Sequence, residues 1–154
     1  MKQNLFLNFL HVIILLSIVC VSGYVDNCQS FKEFMRKHIL PTSFKTNKGD
    51  LGVWGKYLLK NKLCGKIEKQ SFIKSSEKNI KQICNGSGSV SGNYTKSKDL
   101  FEVYRVKSSE GIKPKCIVTS CTSGKYNVFV KCENKEPVHY GHQEIEQNTY
   151  PQPC

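Results

Sequence analysis

The chain begins with a nearly continuous apolar segment, Phe9–Val21, which follows a weakly basic start at Lys2. The small residues Ser22-Gly23 come directly after it. Such a segment is too short to anchor a chain in a membrane, and the order of basic start, apolar run and small residues is typical of a secretory signal peptide. We therefore predict a signal peptide over residues 1–23 and a mature chain that begins near Tyr24.

Beyond residue 30, apolar residues recur at spacings of three and four, which is the period of a helix. Ser30 and Glu33 fit a capping box at the start of this helix, and Pro41 would end it. Its apolar face is formed by Phe31, Phe34, Met35 and His38. His38 is therefore either a satisfied core histidine or a histidine that neighbouring aromatic rings hold at the edge of a cleft.

Two further helices are predicted in the first half of the chain. Asp50 can cap the second helix, whose buried side is formed by Leu51, Trp54, Leu58 and Leu59. Ser76 can cap the third, a short helix on which Ile80, Ile83 and Cys84 share a face. The chain thus places its helical segments before most of its strands.

The second half of the chain is rich in β-branched and aromatic residues, which favour strands. The predicted strands are a short one around Phe72, then Leu100–Val106, Cys116–Cys121, Tyr126–Cys132 and one that begins at Pro137-Val138. We expect a hairpin turn at Thr122–Lys125, an exposed loop at Asn85–Ser97 and a polar tail over residues 141–154. Helices followed by antiparallel strands indicate a single α+β domain over residues 24–154.

Charge and cysteine content narrow the class of protein. Removal of residues 1–23 leaves 22 basic and 12 acidic residues, a net charge of +10, which attracts polyanions such as nucleic acid, anionic membranes or glycans. The mature chain has seven cysteines, with no spacing typical of a metal site, so in a secreted chain they predict disulfides and one odd thiol. Two sequons, at Asn85 and Asn93, predict glycosylation and agree with secretion.

The mature chain contains three histidines, His38, His139 and His142, and the first two lie in ordered, partly apolar segments. Pro137-Val138 favours a strand on which His139 and Tyr140 point to opposite faces. Because the pKa of a histidine lies near neutrality, a pair can act as one base and one acid. With a cation nearby, such a pair suits phosphoryl transfer and needs no metal or cofactor.

Three segments, in order, resemble the pancreatic-type ribonuclease family. They are Phe34–Ile39, the Cys64…Gln70-Ser71-Phe72 segment and Cys132-Glu133-Asn134…Pro137-Val138-His139-Tyr140. The resemblance is closest to the amphibian, onconase-like branch and spans residues 28–141. It implies an RNase A-like fold, with three short helices packed on a curved antiparallel sheet and single-stranded RNA bound in the cleft.

The resemblance also implies roles for individual residues. His38 would be the general base and His139 the general acid in cleavage through a 2′,3′-cyclic phosphate, which DNA cannot form because it lacks the 2′-hydroxyl. The family's Asn-Thr-Phe segment is Gln70-Ser71-Phe72 in this chain. The Ser71 hydroxyl can donate or accept a hydrogen bond and so serve either pyrimidine. Lys37 and Tyr140 would add substrate contacts.

The catalytic lysine of the family is less easily assigned. The family places it directly after a cysteine, whereas here Gly65 intervenes before Lys66, in a segment two residues longer than usual. Lys66 is the first candidate and Lys69 the second, and the altered spacing could lower activity because small misplacements are costly in catalysis. Gly141 stands where many family members have an acidic residue.

The resemblance implies the disulfides Cys64–Cys116 and Cys84–Cys132, and we favour Cys121–Cys154 as a third, which leaves Cys28 as the odd thiol. The first functional hypothesis is a secreted, monomeric endoribonuclease that cleaves after pyrimidines. The alternative is a weakly active or inactive cationic protein of host defence or signalling on the same fold. Fold alone does not separate these, because function depends on the site.

Overall fold

The computed structural model describes residues 30–47, 49–65, 67–109, 116–146 and 150–154. The chain divides into two units, Met1–Ser30 and Phe31–Cys154, and the fold below is that of the second. The predicted signal peptide, Cys28 and Lys66 lie outside the described residues. None of the helices in the described part is long and apolar enough to cross a membrane.

Within the described residues the three predicted helices are present: α1 Phe31–His38, α2 Leu51–Lys60 and α3 Glu77–Gln82, with an irregular π-helical turn at Ile83–Ser87. Two of the three predicted caps are confirmed, whereas the Glu33 carboxylate, predicted to form a capping box with Ser30, is bonded to Arg36 instead. The Asp50 carboxylate accepts hydrogen bonds from the Gly52 and Val53 amides at 3.1 and 3.3 Å, and the Ser76 hydroxyl accepts one from the Asn79 amide at 3.3 Å. These bonds satisfy amides that the first turn of a helix leaves unpaired.

The described strands form one curved sheet. They are β1 Ile39–Leu40, β2 Lys69–Lys74, β3 Gly88–Ser91, β4 Tyr94–Ser97, β5 Phe101–Ser108, β6 Val118–Glu133, β7 Glu136–Ile145 and β8 Gln152–Pro153. Their order is β1-β2-β5-β6-β4-β3, and β7 and β8 also pair with β6. The β1–β2 pair is parallel and the others are antiparallel, so the sheet is mixed.

The predicted hairpin turn at Thr122–Lys125 is wrong. β6 runs through it for 16 residues, from Val118 to Glu133. Thr122 and Ser123 pair with β5 on one edge and with β8 on the other, so their backbone groups are satisfied without a turn. Gly124 serves packing instead, because a Cβ there would lie 3.0 Å from the ring of Tyr126.

Two other predicted irregular segments are also wrong. The expected loop at Asn85–Ser97 contains the β3–β4 hairpin, which turns at Gly92 with φ of 58°. The expected polar tail over residues 141–154 continues β7 to Ile145 and then supplies β8, and its last residue, Cys154, is buried. Tertiary pairing with β6 orders these polar residues, which have weak strand propensity of their own.

The core of the Phe31–Cys154 unit has two apolar clusters. The first includes Phe31 and Phe34 of α1 with Val128 and Val130 of β6. The second surrounds Trp54 of α2 and includes Leu58, Phe72, Tyr104 and Val106. Disulfides join the described cysteines as Cys64–Cys116, Cys84–Cys132 and Cys121–Cys154, which are the expected pairings. In general each such bridge stabilises a fold by roughly 2–4 kcal/mol.

A glycine contact in α2 generates a test of this packing. We expect Gly55→Ala to lower the free energy of unfolding by at least ~1 kcal/mol, because its Cβ would lie 2.7 Å from the Cys116 carbonyl oxygen. Alanine in a helix interior is otherwise favoured over glycine by about 1 kcal/mol. Denaturant unfolding should therefore show Gly52→Ala, whose Cβ meets only the Asp50 side chain, as neutral or stabilising. Stabilisation by Gly55→Ala would contradict this packing.

Candidate active site

His38 is the last residue of α1, and its ring is enclosed by aromatic neighbours. The ring centroid lies 5.5 Å from that of Phe34 and 5.1 Å from that of Tyr140, on which it stacks. His38 Nδ1 lies 3.1 Å from the Ser71 carbonyl oxygen, to which it can donate in the Nδ1–H tautomer. In that tautomer the Nε2 lone pair is the atom able to take a proton.

Burial lowers the pKa of His38 to about 4, and the nearby charges of Lys37 and His139 lower it further, while the hydrogen bond to Ser71 opposes them. The ring is thus neutral at pH 7. A partly buried, neutral imidazole with one nitrogen anchored and the other able to accept a proton has the form that a general base requires. His38 is not a histidine fully enclosed in the core, because it is only half-buried and part of it remains exposed to solvent.

His139 lies on β7, opposite Lys131 of β6, and is half-buried. Its charge acts on His38, so the structure brings the two predicted histidines near one another. The register between β6 and β7 skips Val138 and Gly141, which are therefore β-bulges. Bulges re-aim the side chains beside them.

A hydrogen-bond network centred on Gln143 joins β2 to β7 beside His38. Gln143 Oε1 accepts a hydrogen bond from the Ser71 hydroxyl at 3.3 Å and another from the Tyr140 hydroxyl. Burial raises the pKa of Tyr140, so its hydroxyl keeps the proton that it donates. Sequence reasoning missed Gln143 because it placed this residue in a tail. Extending the strand beyond His139 would have put it on an ordered element.

A cavity of about 380 Å³ opens beside this network and carries several cations. Its polar and charged lining includes Lys69, Ser71, Arg105, Lys107 and Gln143. Arg105 and Lys107 pair in register with Ser71 and Lys69, and Lys107 forms an ion pair with Glu68 at 3.1 Å. Sequence reasoning missed both β5 cations, although the alternation of buried and exposed residues along that strand marks them.

Other predicted site residues lie in different surroundings. Phe72 is fully buried against Trp54 and Tyr57, so it supports β2 from the core and does not face a substrate. Gln70 is also buried, and its Oε1 atom has no hydrogen-bond partner among the described residues. Lys37 lies beside His38 and pairs with Glu33 at 3.4 Å. No group of three or more potential metal ligands occurs within the described residues.

Comparisons with known proteins bear on this arrangement. No protein-family model matches the chain. Angiogenin from Saguinus oedipus is 33% identical over 118 residues, which cover 74% of this chain and 78% of that protein. Pancreatic ribonuclease from Iguana iguana is 27% identical over 73 residues, 47% of this chain and 61% of that protein.

Solved structures share the fold. Green turtle egg white ribonuclease has a TM-score of 0.64 at 18% identity, with 74% of this chain and 98% of that chain covered. Zebrafish RNase5 has a TM-score of 0.62 at 22% identity, with 72% and 91% covered. The narrower resemblance to the onconase-like branch stays a prediction. The fold and the identity to angiogenin together lead to one conclusion: this chain belongs to the pancreatic-type ribonuclease, or RNase A, family.

Proposed function

We propose that this chain is a secreted endoribonuclease that cleaves single-stranded RNA after pyrimidines, through a 2′,3′-cyclic phosphate. Family membership supports ribonuclease activity in general. The observation that carries the specific proposal is that the His139 charge acts on His38, whose pKa is lowered and whose Nδ1 atom contacts Ser71 of the cationic cavity.

In the proposed reaction His38 Nε2 takes the proton from the RNA 2′-hydroxyl, whose oxygen attacks the adjacent phosphorus. His139, protonated, gives a proton to the departing 5′-oxygen, so that each histidine ends in the protonation state that the other had. The hydrogen bond from Nδ1 to the Ser71 carbonyl supports this division of roles, because it directs the basic nitrogen of His38 away from β2. DNA lacks the nucleophile and is not cleaved.

A cation must also stabilise the negative charge that develops on the phosphate oxygens. We propose Lys66 for this role, with Lys69 as the second candidate. Lys69 lies on the same face of β2 as Ser71, since side chains two residues apart on a strand share a face. Arg105 and Lys107, on the neighbouring strand, would hold flanking phosphates.

Base selection is assigned to Ser71. Its hydroxyl can donate to a pyrimidine carbonyl or accept from a ring or amino N–H, so it can serve uracil and cytosine alike. In the present structure this hydroxyl donates to Gln143. A base that accepts a hydrogen bond from Ser71 must therefore replace Gln143, whereas a base N–H can still donate to the hydroxyl oxygen.

We also propose that the protein is secreted and carries glycans at Asn85 and Asn93. The apolar segment at Phe9–Val21 and the disulfides between described cysteines support secretion, because disulfides persist in oxidising compartments. Both sequon asparagines are exposed, one in the π-helical turn and one at the tip of the β3–β4 hairpin.

The histidine roles predict how activity depends on His139 and on pH. We expect His139→Ala to lower kcat/KM on RNA about 10²- to 10⁴-fold, since a general acid contributes that much. Because the pKa of His38 is about 4, kcat/KM should stay high as the pH falls from 7 to well below 6, and drop only as His38 becomes protonated.

The matched control is His142→Ala, on the same strand. The His142 ring stacks on that of Phe129, with 4.0 Å between the ring centroids, so it is engaged away from His38. The control variant should leave kcat/KM nearly unchanged. Circular dichroism should verify that both variants fold. Equal losses of kcat/KM in the two variants would contradict the assignment.

The lysine assignment predicts a difference between kcat and KM. Lys66→Ala should lower kcat about 10²- to 10³-fold, as loss of one transition-state donor typically does. Lys69→Ala should act mainly on KM and on its salt dependence, because that lysine would contact the phosphate backbone. Steady-state kinetics on a dinucleotide and on a longer RNA separate the effects. Unchanged kcat in Lys66→Ala would show the assignment to be wrong.

The Gln143 network predicts a gain of activity on removal of a side chain. Gln143→Ala should raise kcat/KM by about 2- to 10-fold for dinucleotides whose pyrimidine accepts a hydrogen bond from Ser71, since the net value of one hydrogen bond is roughly 0.5–1.5 kcal/mol. In a Ser71→Ala background the same change should have little further effect, because the hydroxyl that it frees is gone. An equal gain in both backgrounds would show that Gln143 acts other than through Ser71.

A further inference from the structure

Arg105 stands directly beside Ser71 in the sheet. It is the cross-strand partner of Ser71 on β2 and, on its other side, of Thr122 on β6, and all three residues line the cavity of about 380 Å³. Opposed residues on neighbouring strands point to the same face, with Cβ atoms about 4.5–5.5 Å apart. A base that contacts the Ser71 hydroxyl is therefore within reach of the Arg105 guanidinium.

The charge of Arg105 is not balanced by a carboxylate. Among the residues that the structure describes, no carboxylate forms an ion pair with Arg105, which is exposed, whereas Lys107 on the same strand pairs with Glu68 at 3.1 Å. Burial raises the pKa of Tyr140, and the positive charge of Arg105 acts against that rise. The Arg105 charge thus extends into the network beside Ser71 and is available to a substrate group.

The Ser71 hydroxyl is held in one of its two hydrogen-bonding roles. It donates to Gln143 Oε1 at 3.3 Å, and the Tyr140 hydroxyl donates to the same oxygen. While the first bond stands, Ser71 offers a base only the lone pairs of its oxygen, which accept from an N–H. Uracil has an N–H at ring atom N3, whereas cytosine has a lone pair there. Cytosine can bond to Ser71 through N3 only after the bond to Gln143 is broken.

The group at C4 of the base gives a second distinction. Uracil has a carbonyl oxygen there, as thymine does, and this oxygen accepts a hydrogen bond, whereas cytosine has an amino group that donates one. A guanidinium has donors and no acceptor. Arg105 can therefore form a charge-assisted hydrogen bond to uracil O4, but it meets the cytosine amino group donor to donor.

We propose that Arg105 is a specificity-determining residue that makes this chain prefer uracil to cytosine on the 5′ side of the cleaved bond. The inference rests on the proposed ribonuclease function and narrows its substrate from pyrimidines to one pyrimidine. Gln143 contributes by keeping the Ser71 hydroxyl an acceptor, and Arg105 contributes by donating to O4. A contact of Arg105 with a flanking phosphate adds affinity for both bases and leaves their ratio unchanged.

The test measures kcat/KM of the full mature protein on the dinucleotides UpA and CpA. The two substrates share their sugars, phosphate and leaving group, so the ratio of their kcat/KM values isolates the contribution of the base. We expect UpA to be favoured by about tenfold or more, which is roughly the effect of one charge-assisted hydrogen bond.

Two variants of Arg105 should move this ratio in a graded way. Arg105→Met removes the guanidinium and keeps an unbranched side chain, so it should lower the ratio of UpA to CpA about tenfold, mainly through slower cleavage of UpA. Arg105→Glu supplies a carboxylate that can accept from the cytosine amino group, so it should shift the ratio further towards CpA. Circular dichroism should verify that both variants fold.

The matched control on the protein is Lys107→Met, which removes the same charge from the same strand and should change both kcat/KM values by one common factor. The matched control on the substrate replaces uracil by 4-thiouracil, which keeps the N–H at N3 and has a weakly accepting sulfur in place of O4. The unmodified protein should cleave this dinucleotide several-fold more slowly than UpA. Arg105→Met should cleave the two at similar rates, because the contact that distinguishes them is gone.

Two failures can be told apart. Cleavage of neither UpA nor CpA would overturn the proposed ribonuclease function and this inference with it. Cleavage of both with equal kcat/KM, or a preference for UpA that survives Arg105→Met, would overturn the role of Arg105 and leave the ribonuclease function standing. A ratio that falls equally in Lys107→Met would show that positive charge on β5 matters and that the position beside Ser71 does not.

Discussion

The pairing of β6 along both of its edges is the constraint on which the rest of the structure depends. Tyr126 pairs with Phe101 of β5 and with Ile145 of β7, and Val130 pairs with β4 and β7 in the same way. Disulfides from Cys121 and Cys132 tie the same strand to the chain end and to the turn after α3. The strand that carries His139 and the strand that bonds to β2 thus take their positions from one element.

Register within this sheet decides which side chains reach His38. A slip of one residue would exchange the two faces of a strand. The bulges at Val138 and Gly141 adjust β7 so that Tyr140 stacks on His38 while Val138 stays buried. Gly141 has a structural reason as well, because a Cβ there would lie 2.6 Å from the ring of Tyr94. Glycine, at the position where many family members have an acidic residue, therefore fits this packing.

Positive charge in this chain is distributed between surfaces of different character. The cations beside Ser71, which are Lys69, Arg105 and Lys107, stand at alternate residues of two paired strands and line one cavity. A second set of cations, Arg36, Lys60 and Lys62, stands at or just beyond the C-terminal ends of two helices, where the helix dipole favours positive charge. The net charge of +10 predicted for the mature chain thus contains at least two local arrangements of cations.

The sequence by itself determined the helices, the capping residues Asp50 and Ser76, the α+β class and the family, because these depend on local periodicity and on short motifs. It also singled out His38 and His139. Tertiary structure alone decided the continuous path of β6, the strand pairing of Gly141–Ile145 and Gln152–Pro153, and the presence of Gln143 beside Ser71. Those features depend on backbone pairing between segments distant in sequence, which turn-like residues such as Ser123-Gly124 do not reveal. The lowered pKa of His38 was likewise decided by the fold. His38 is buried, and comes near the His139 charge, only once α1 has packed against β7.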